Sequence, residues 1–333
     1  MLSTKDIVIS KLITADDYIS GQSLSDSLGL SRAAVNIAVK SLRADGYDIL
    51  SVTNKGYKLN NRPDLLTSGE MLACLSEQRM KDVIVLPEVD STNKYLKQAA
   101  YDGAPSGTVV ISDYQSEGRG RLGRSFLSPS GKGIYLSYLM RPAILPELVS
   151  EVTCWSAVAV ANAITKVCGI TPKIKWVNDL QINGMKICGI LTEMSIESEI
   201  GSVSSVVIGI GINVNESPSD FPEDLRSIAS SIRHETGSDS PLLRASLASA
   251  LISELDSVNE RFPDAHDEYL ESYSKLCSTV GLPVSVVSAH NHTSEIPRNG
   301  EVITVNNDFS LKVRFEDGHE EDLRSGEVSV RRI

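Results

Sequence analysis

Three glycines and three arginines alternate within seven residues of this chain, Gly118-Arg119-Gly120-Arg121-Leu122-Gly123-Arg124, directly after Tyr114-Gln115-Ser116-Glu117. Glycine lets a backbone approach a ligand closely and take positive φ. Arginine offers a planar fork of donors that stays charged and matches carboxylate or phosphate oxygens. The combination suits a flexible loop that closes over an anion; a solvated basic turn is the competing reading. Gly118, Gly120 and Gly123 also spell G-x-G-x-x-G. A dinucleotide site needs a helix next and an acidic residue about 20 positions on. The following apolar run, residues 133–140, instead reads as a strand and ends in Arg141-Pro142.

Two further sets of residues could do chemistry. Asp90-Ser91-Thr92-Asn93 follows an apolar run, residues 83–89, at an expected strand-to-helix junction. Such residues cap helices, and they also point hydroxyls into the space beyond a strand end, where α/β ligands sit. Lys175, Asn178, Asp179 and Lys186 flank Asn183-Gly184, a strong hairpin signal that brings them within reach of one another. Charges beside apolar strand positions are costly unless paired or used. Gly209 and Gly211 interrupt a β-branched run, residues 203–214, where close backbone or ligand approach is expected.

The elements that must position these residues fall into more than one domain, as 333 residues suggest. The composition, 41% hydrophobic and 23% charged, is that of an ordinary globular protein. No apolar run of membrane-spanning length and no secretory leader are legible, which predicts a cytoplasmic protein with no membrane partner. Cys74, Cys154, Cys168, Cys188 and Cys277 are odd in number and widely spaced, as expected of reduced, buried thiols. His290 and His292 form H-x-H with nothing nearby to complete a metal shell, and a loop is expected there. A net charge of −11 argues against unspecific nucleic-acid binding by the whole surface.

The first 62 residues differ from the rest. They carry eight Lys/Arg against six Asp/Glu, a net +2. Helical spacing is expected over 4–15 and 23–28, with Gly29 closing the second helix and Ser31 capping a third over 32–44. That is helix-turn-helix spacing. The outward face of the third helix would carry Arg32, Ala33, Asn36, Lys40 and Arg43, residue types that meet phosphates, guanine, adenine and thymine methyl. Two strands around Lys55 would form a wing. A small protein-interaction module is the competing reading. Residues 60–64 read as a linker, 65–80 as a helix, 94–101 as a helix and 149–167 as a long core helix. One strand over 173–182 is predicted, with a return strand over 185–193. Residues 242–262 and 265–276 read as helices. Short strands after residue 280 fit a small all-β barrel.

Taken together, these motifs resemble the bifunctional biotin–protein ligase and biotin operon repressor family, over essentially the whole chain. The motifs that carry the resemblance are Asp90-Ser-Thr-Asn93, Gln115 with Gly118-Arg-Gly-Arg121, Lys175-Trp-x-Asn-Asp179, Lys186-x-x-Gly189-Ile-Leu191 and Gly209-x-Gly-Ile-Asn213. The family usually has Pro after the Trp; this chain has Val177.

The resemblance implies an α+β multidomain fold. It comprises a winged helix-turn-helix over 1–62, a class II synthetase-like mixed α/β ligase core over 65–276 and an SH3-like β-barrel over 277–333. It implies ATP-dependent formation of biotinyl-5′-adenylate, then transfer of biotin to a lysine of the biotin carboxyl carrier protein of acetyl-CoA carboxylase. Arg119, Arg121 and Lys186 are the implied catalytic cations. Ser91, Thr92, Asn93, Gln115, Gly118, Arg119, Gly120, Arg121, Lys186, Gly189, Leu191 and Gly209 would bind biotin. Lys175, Asn178, Asp179 and Asn213 would bind ATP and the adenylate, with Asp179 holding Mg²⁺ through the phosphates; a structural pair with Lys175 is the alternative for Asp179. Ser31, Arg32, Ala33, Asn36, Lys40 and Lys55 would meet operator DNA as an adenylate-bound homodimer. The competing functions are a ligase whose N-terminal domain no longer binds DNA, a ligand-sensing repressor without catalysis, and a lipoate ligase. The usual Arg-Arg-x-Ser-Gly-Gly-Gly stretch of the last is missing.

Overall fold

The computed structural model describes residues 2–196, 201–288, 297–324 and 328–332; the histidines at 290 and 292 lie outside them. The chain opens with helices α1 (Thr4–Ile13), α2 (Gly21–Leu28) and α3 (Arg32–Ala44), then strands β1 (Asp48–Val52) and β2 (Gly56–Asn61). Each helix starts on a serine: Ser3, Ser20 and Ser31 accept the backbone N–H three residues on. Such caps satisfy otherwise orphaned donors. Gly29, at φ 62°, closes α2 in the left-handed region. Val8, Leu12, Leu24, Val35, Val39, Leu42 and Ile49 form a separate small core. The wing turns at Asn54, φ 66°, with Lys55 next to it.

The expected linker over 60–64 is not free. β2 runs through Asn61, and Asp64 is drawn inward by Arg244. The single helix expected over 65–80 is two, α4 (Ser68–Cys74) and α5 (Glu77–Met80). Leu75 is extended, and Ser76 starts a new helix by accepting from Arg79 N. Gly69 lets α1 lie directly on α4: its N–H donates to Asp6 at 3.1 Å, and a Cβ there would come within 2.4 Å of Ile9.

The central region runs β3 (Val83–Leu86), α6 (Thr92–Tyr101), β4 (Val109–Ser112), β5 (Ile134–Met140), α7 (Val149–Cys168), β6 (Lys173–Lys175), β7 (Asp179–Ile182), β8 (Met185–Ile196), β9 (Val203–Ile212), α8 (Ile232–Thr236), α9 (Arg244–Arg261) and α10 (His266–Leu276). Its seven strands form one sheet in the order β3-β4-β5-β9-β8-β7-β6. Only β3–β4 is parallel among these pairs. Strand periodicity sorts the two faces. Val206, Ile208, Ile210 and Ile212 of β9 join the core under α7, whereas Val207 packs with Leu96 of α6. Gly209 and Gly211 continue the α6 face. α7 is apolar on nearly every side because the sheet covers one flank and α9 and α10 the other; Trp155 stacks on Tyr269 at 3.9 Å. Its length and hydropathy would suit a membrane span, but most of it is buried within the protein.

The strand expected over 173–182 is two strands folded back on each other, pairing Lys175 with Asp179. Trp176 leaves the strand line and donates its indole N–H to Phe309 O at 2.9 Å. The Asn183-Gly184 hairpin is present, with both residues at positive φ.

The C-terminal strands β10 (Pro283–Ser288), β11 (Arg298–Val305), β12 (Leu311–Phe315), β13 (Glu320–Leu323) and β14 (Val328–Arg332) form one antiparallel sheet, ordered β13-β12-β11-β10-β14. Among the described residues no pairing closes this sheet into the expected barrel. β13 escaped the sequence reading because Glu320-Glu321-Asp322 lacks an apolar pattern. The cysteines are unpaired, but Cys74 is exposed and Cys168 and Cys277 are half-buried, so only Cys154 and Cys188 match the buried set expected.

Candidate active site and nucleic-acid interface

The Gly/Arg stretch folds as a small flap. Phe126 N donates to Gly118 O, and Gly120 N to Arg124 O, around a tip at residues 121–123. Gly118 is required by crowding: a Cβ there would stand 2.3 Å from Phe126 O. The flap brings the Phe126 ring over the two glycines of β9 and β8. A Cβ at Gly211 would strike that ring at 2.5 Å, and one at Gly189 would lie 3.6 Å from it.

Beneath the flap is a polar recess of about 30 Å³, room for one or two waters. Its lining brings together Ser91, Thr92, Asn93, Gln115, Arg119, Gly189, Leu191 and Gly209 from the expected set, and adds Phe126, Ile210 and Gly211. Gly118, Gly120, Arg121 and Lys186 are not in that lining. Ser91 starts α6 without a side-chain capping bond, so its hydroxyl is not spent on the helix. Gln115 Oε1 accepts from Thr92 N at 2.9 Å and Thr92 Oγ1 at 3.1 Å, while its Nε2 donates to Ser128 Oγ at 3.0 Å. Ser137, fully buried on β5, donates to Asn93 Oδ1 at 2.6 Å and meets Thr92 Oγ1 at 2.8 Å. Asn93 Nδ2 donates to Glu193 at 2.9 Å. Burial would raise the Glu193 carboxyl, but the bonds from Asn93 and Lys97 hold it below its usual range. The result is a preorganised hydrogen-bonding wall. Sequence reasoning missed both Ser137 and Glu193; the signal for Ser137 was a single small polar residue within Ile-Tyr-Leu-Ser-Tyr-Leu-Met, while Glu193 gave none.

The cations divide between neighbouring spaces. Arg121 turns to the other side of β8, where Val149, Thr153, Val177, Ile190 and Thr192 line a recess of about 180 Å³. It donates to Asn178 Oδ1 at 3.0 Å, and Asn178 in turn donates to Ile190 O. Burial lowers the Arg121 pKa against the opposing pull of Asp179. Lys186 pairs with Asp179 at 2.7 Å. Both line a cleft of about 570 Å³ with Arg124, Lys173, Lys175 and Trp176, bounded across by Ser278 and Thr279. Lys186 does not line the small recess, but its Nζ lies next to Gly189, which does: a Cβ there would stand 3.2 Å from it. The structural charge pair weighed for Asp179 is made with Lys186 rather than with Lys175, which is only its neighbour in strand register.

No group of three or more His, Cys, Asp or Glu among the described residues could cage a metal. A single carboxylate at the basic cleft fits a hard cation whose other ligands are phosphate and water, not a closed protein site. Asn213 lines no described cavity. Its side chain is buried and donates to Ser230 O at 2.9 Å, anchoring the far end of the segment 215–231. Sequence reasoning missed the start of that segment: Asn215 donates to Asp64, which Arg244 holds in a buried ion pair that also takes in Asp113.

The N-terminal module keeps most of its expected face. Ser31, Arg32, Ala33, Asn36, Lys40 and Lys55 lie on its surface, although Ser31 also serves as the α3 cap. Arg43 does not belong with them: its guanidinium donates to Ile49 O and Ser51 Oγ and braces β1.

Residues 85–213 match the Biotin/lipoate A/B protein ligase family, and residues 6–58 match an HTH domain family. The chain is 41% identical over 234 residues to the Bifunctional ligase/repressor BirA of Bacillus subtilis (strain 168), covering 70% of this chain and 71% of that one. It is 31% identical over 337 residues to the Bifunctional ligase/repressor BirA of Escherichia coli (strain K12), covering 99% and 98% of the two chains. Among solved structures it resembles the biotin protein ligase from Aquifex aeolicus in complex with biotin and ATP, with a TM-score of 0.63 and 27% identity over 76% of this chain and 100% of that one.

Proposed function

We propose a division of labour within the site from the premise that this chain belongs to the biotin protein ligase family, among its bifunctional ligase/repressor members. The enzyme is a biotin ligase and the N-terminal module is that of a repressor. Biotin takes the recess under the flap, with its polar ring on the Thr92–Gln115–Ser137–Asn93 wall and its apolar part against Gly189, Leu191 and Phe126. The recess is too small for two fused rings until Phe126 swings away, so binding opens the flap and then closes it over the ligand. The triphosphate of ATP takes the basic cleft beside Lys173, Lys175 and Arg124.

The observation that carries this reading is the position of Lys186, which lines the basic cleft and whose amine lies beside Gly189, a residue of the recess wall. In the first step a biotin carboxylate oxygen attacks the α-phosphorus and the bond to the β-phosphate breaks, releasing pyrophosphate. Negative charge gathers between two anions, and preorganised cations stabilise it. Lys186 from the cleft and Arg119 from the recess would meet that charge; Arg121 joins them by turning from its recess as the flap closes. A Mg²⁺ ion at Asp179 would neutralise phosphate charge there. In the second step the carrier lysine amine attacks the adenylate carbonyl, AMP leaves with the bonding pair, and the amine loses a proton to solvent. Excluding water beforehand protects the mixed anhydride.

The segment 215–231, fixed by Asn213 and Ser230 at one end and by Asp64 and Arg244 at the other, lies where it would sense the adenylate. The partners on this reading are the biotin carboxyl carrier protein and operator DNA, the latter met by a dimer that presents two winged modules. A cytoplasmic location follows from those partners, and closure of the C-terminal sheet into an SH3-like barrel completes the fold.

Adenylate formation from α-labelled ATP tests the assignment, with biotin or lipoate as acceptor. Product is expected with biotin only, and Lys186→Gln lowers its rate by about a hundredfold or more. An unchanged rate removes Lys186 from the chemistry, and product with lipoate alone overturns the substrate.

A further inference from the structure

The surface of α3 carries an apolar side chain that its amphipathic pattern does not call for. Val35, Ala38, Val39 and Leu42 fill the inward face at helical spacing. The outward face follows the same spacing through Ala33, Asn36, Ile37 and Lys40. Ile37 stands 69% exposed in the middle of it, and no other element packs on it. A large β-branched residue in a solvated helix stripe lowers helix propensity and leaves apolar surface in water.

The surroundings say what would cover it. Arg32 and Lys40 are exposed on the same helix, Lys55 is at the wing tip, and the module is net positive in an acidic chain. That charge complements a polyanion. On the edge of a base pair in the major groove the only apolar group is the C5 methyl of thymine. We infer that Ile37 is a specificity residue that packs on a thymine methyl in the operator half-site. Asn36, its neighbour on this face, has the amide geometry to pair with adenine, so the two residues together favour A·T pairs. The inference rests on the DNA-binding reading given above and adds to it which chemical group of the DNA is read.

The test uses the full chain with biotin and ATP. Duplexes are first selected from a randomised pool by the wild-type protein. Each thymine of the selected half-site is then replaced singly by deoxyuridine, which removes only the methyl. Affinities are measured at fixed salt for wild type and Ile37→Ala. At one thymine, replacement weakens wild-type binding about fivefold or more, within the range of a single lost base contact. Ile37→Ala loses a similar factor on the unmodified duplex and nothing further on the deoxyuridine duplex. Unchanged affinity and unchanged methyl sensitivity in Ile37→Ala overturn the inference while leaving DNA binding intact. So does altered self-association of Ile37→Ala in the absence of DNA, because Ile37 is then a protein contact. If the wild type selects no duplex, the repressor reading fails and this inference fails with it. Normal adenylate formation by Ile37→Ala shows that the ligase core is intact, and wild-type resistance of residues 1–62 to limited proteolysis shows that the winged module is folded.

Discussion

Adding one methyl group at Gly209 should disable the biotin recess more than any other single methyl on that wall. In Gly209→Ala the new Cβ would lie 2.2 Å from Asn93 Oδ1, 2.7 Å from its Cγ and 2.8 Å from its Nδ2. The whole carboxamide must therefore move. Asn93 is only 4% exposed, so water cannot replace what it loses. It would give up the bond from Ser137 at 2.6 Å, the bond to Glu193 at 2.9 Å and a longer one to Leu191 O at 3.3 Å. A neutral bond is worth about 1 kcal/mol net and one to a carboxylate about 2 kcal/mol, so the two shorter bonds alone put about 3 kcal/mol at stake. Because Asn93 and Gly209 both line the recess proposed for biotin, that distortion should raise the KM for biotin by about a hundredfold. The KM for ATP at saturating biotin should change far less. Gly211→Ala is the control. The three atoms nearest its Cβ all belong to the Phe126 ring, at 2.5 to 2.9 Å, and that ring is carried by the flap proposed to swing aside for the ligand. Its effect should stay below about tenfold. The assay is initial-rate adenylate formation with biotin varied, alongside thermal unfolding. A biotin KM within twofold of wild type for Gly209→Ala, or equal damage from both variants, would refute the reasoning.

Other consequences follow from buried charge. Glu216 is 2% exposed and neither carboxylate oxygen makes a well-formed hydrogen bond; burial outweighs the nearby amides of Glu216 and Val214 and pushes its pKa up to about 7. A raised carboxyl contributes stability that is complete below the unfolded value near 4.5 and is lost as pH rises through 7. Glu216→Gln should therefore stabilise the protein by up to about 3 kcal/mol at pH 8 and hardly at all at pH 4.5, read as a melting difference that grows with pH. A difference independent of pH would show that Glu216 is not the titrating group. Asp64→Asn leaves the fully buried Arg244 with only Asp113 as counter-charge, which should cost about 3 kcal/mol and loosen the linker against segment 215–231. Chemical denaturation should report that loss, and limited proteolysis should cut near residue 64 in the variant first.

How much of this was legible in the sequence depends on the range of the contact that decides it. The winged module was read almost to the residue, because Ser31, Gly29 and the 3.6-residue apolar spacing act within a turn or two. Most of the recess was also legible: Ser91 to Asn93 by type and position after a strand, Gly209 as an interruption of a β-branched strand, and Gln115 and Gly189 through the family resemblance. What failed was set by distant partners. Trp176 leaves the strand expected over 173–182, and its indole N–H is taken by Phe309 in the turn between β11 and β12, more than a hundred positions on. The linker looked polar and open, yet Asp64 is pinned by Arg244, 180 positions on. Arg43 suited a DNA face by type, but the carbonyl of Ile49 claims it. Arg121 and Lys186 were placed with biotin, whereas the structure sends one to Asn178 and the other to Asp179.

The central claim is that one ligand site serves both catalysis and repression, through an adenylate made at the junction held by Lys186. Binding of a selected operator duplex at fixed salt, with biotin alone, with ATP alone and with both, tests it most directly. The account predicts a sharp rise in affinity only with both, absent in Lys186→Gln and restored to that variant by adding synthetic biotinyl-5′-adenylate. Equal affinity under all three conditions, in protein that forms the adenylate, would contradict it.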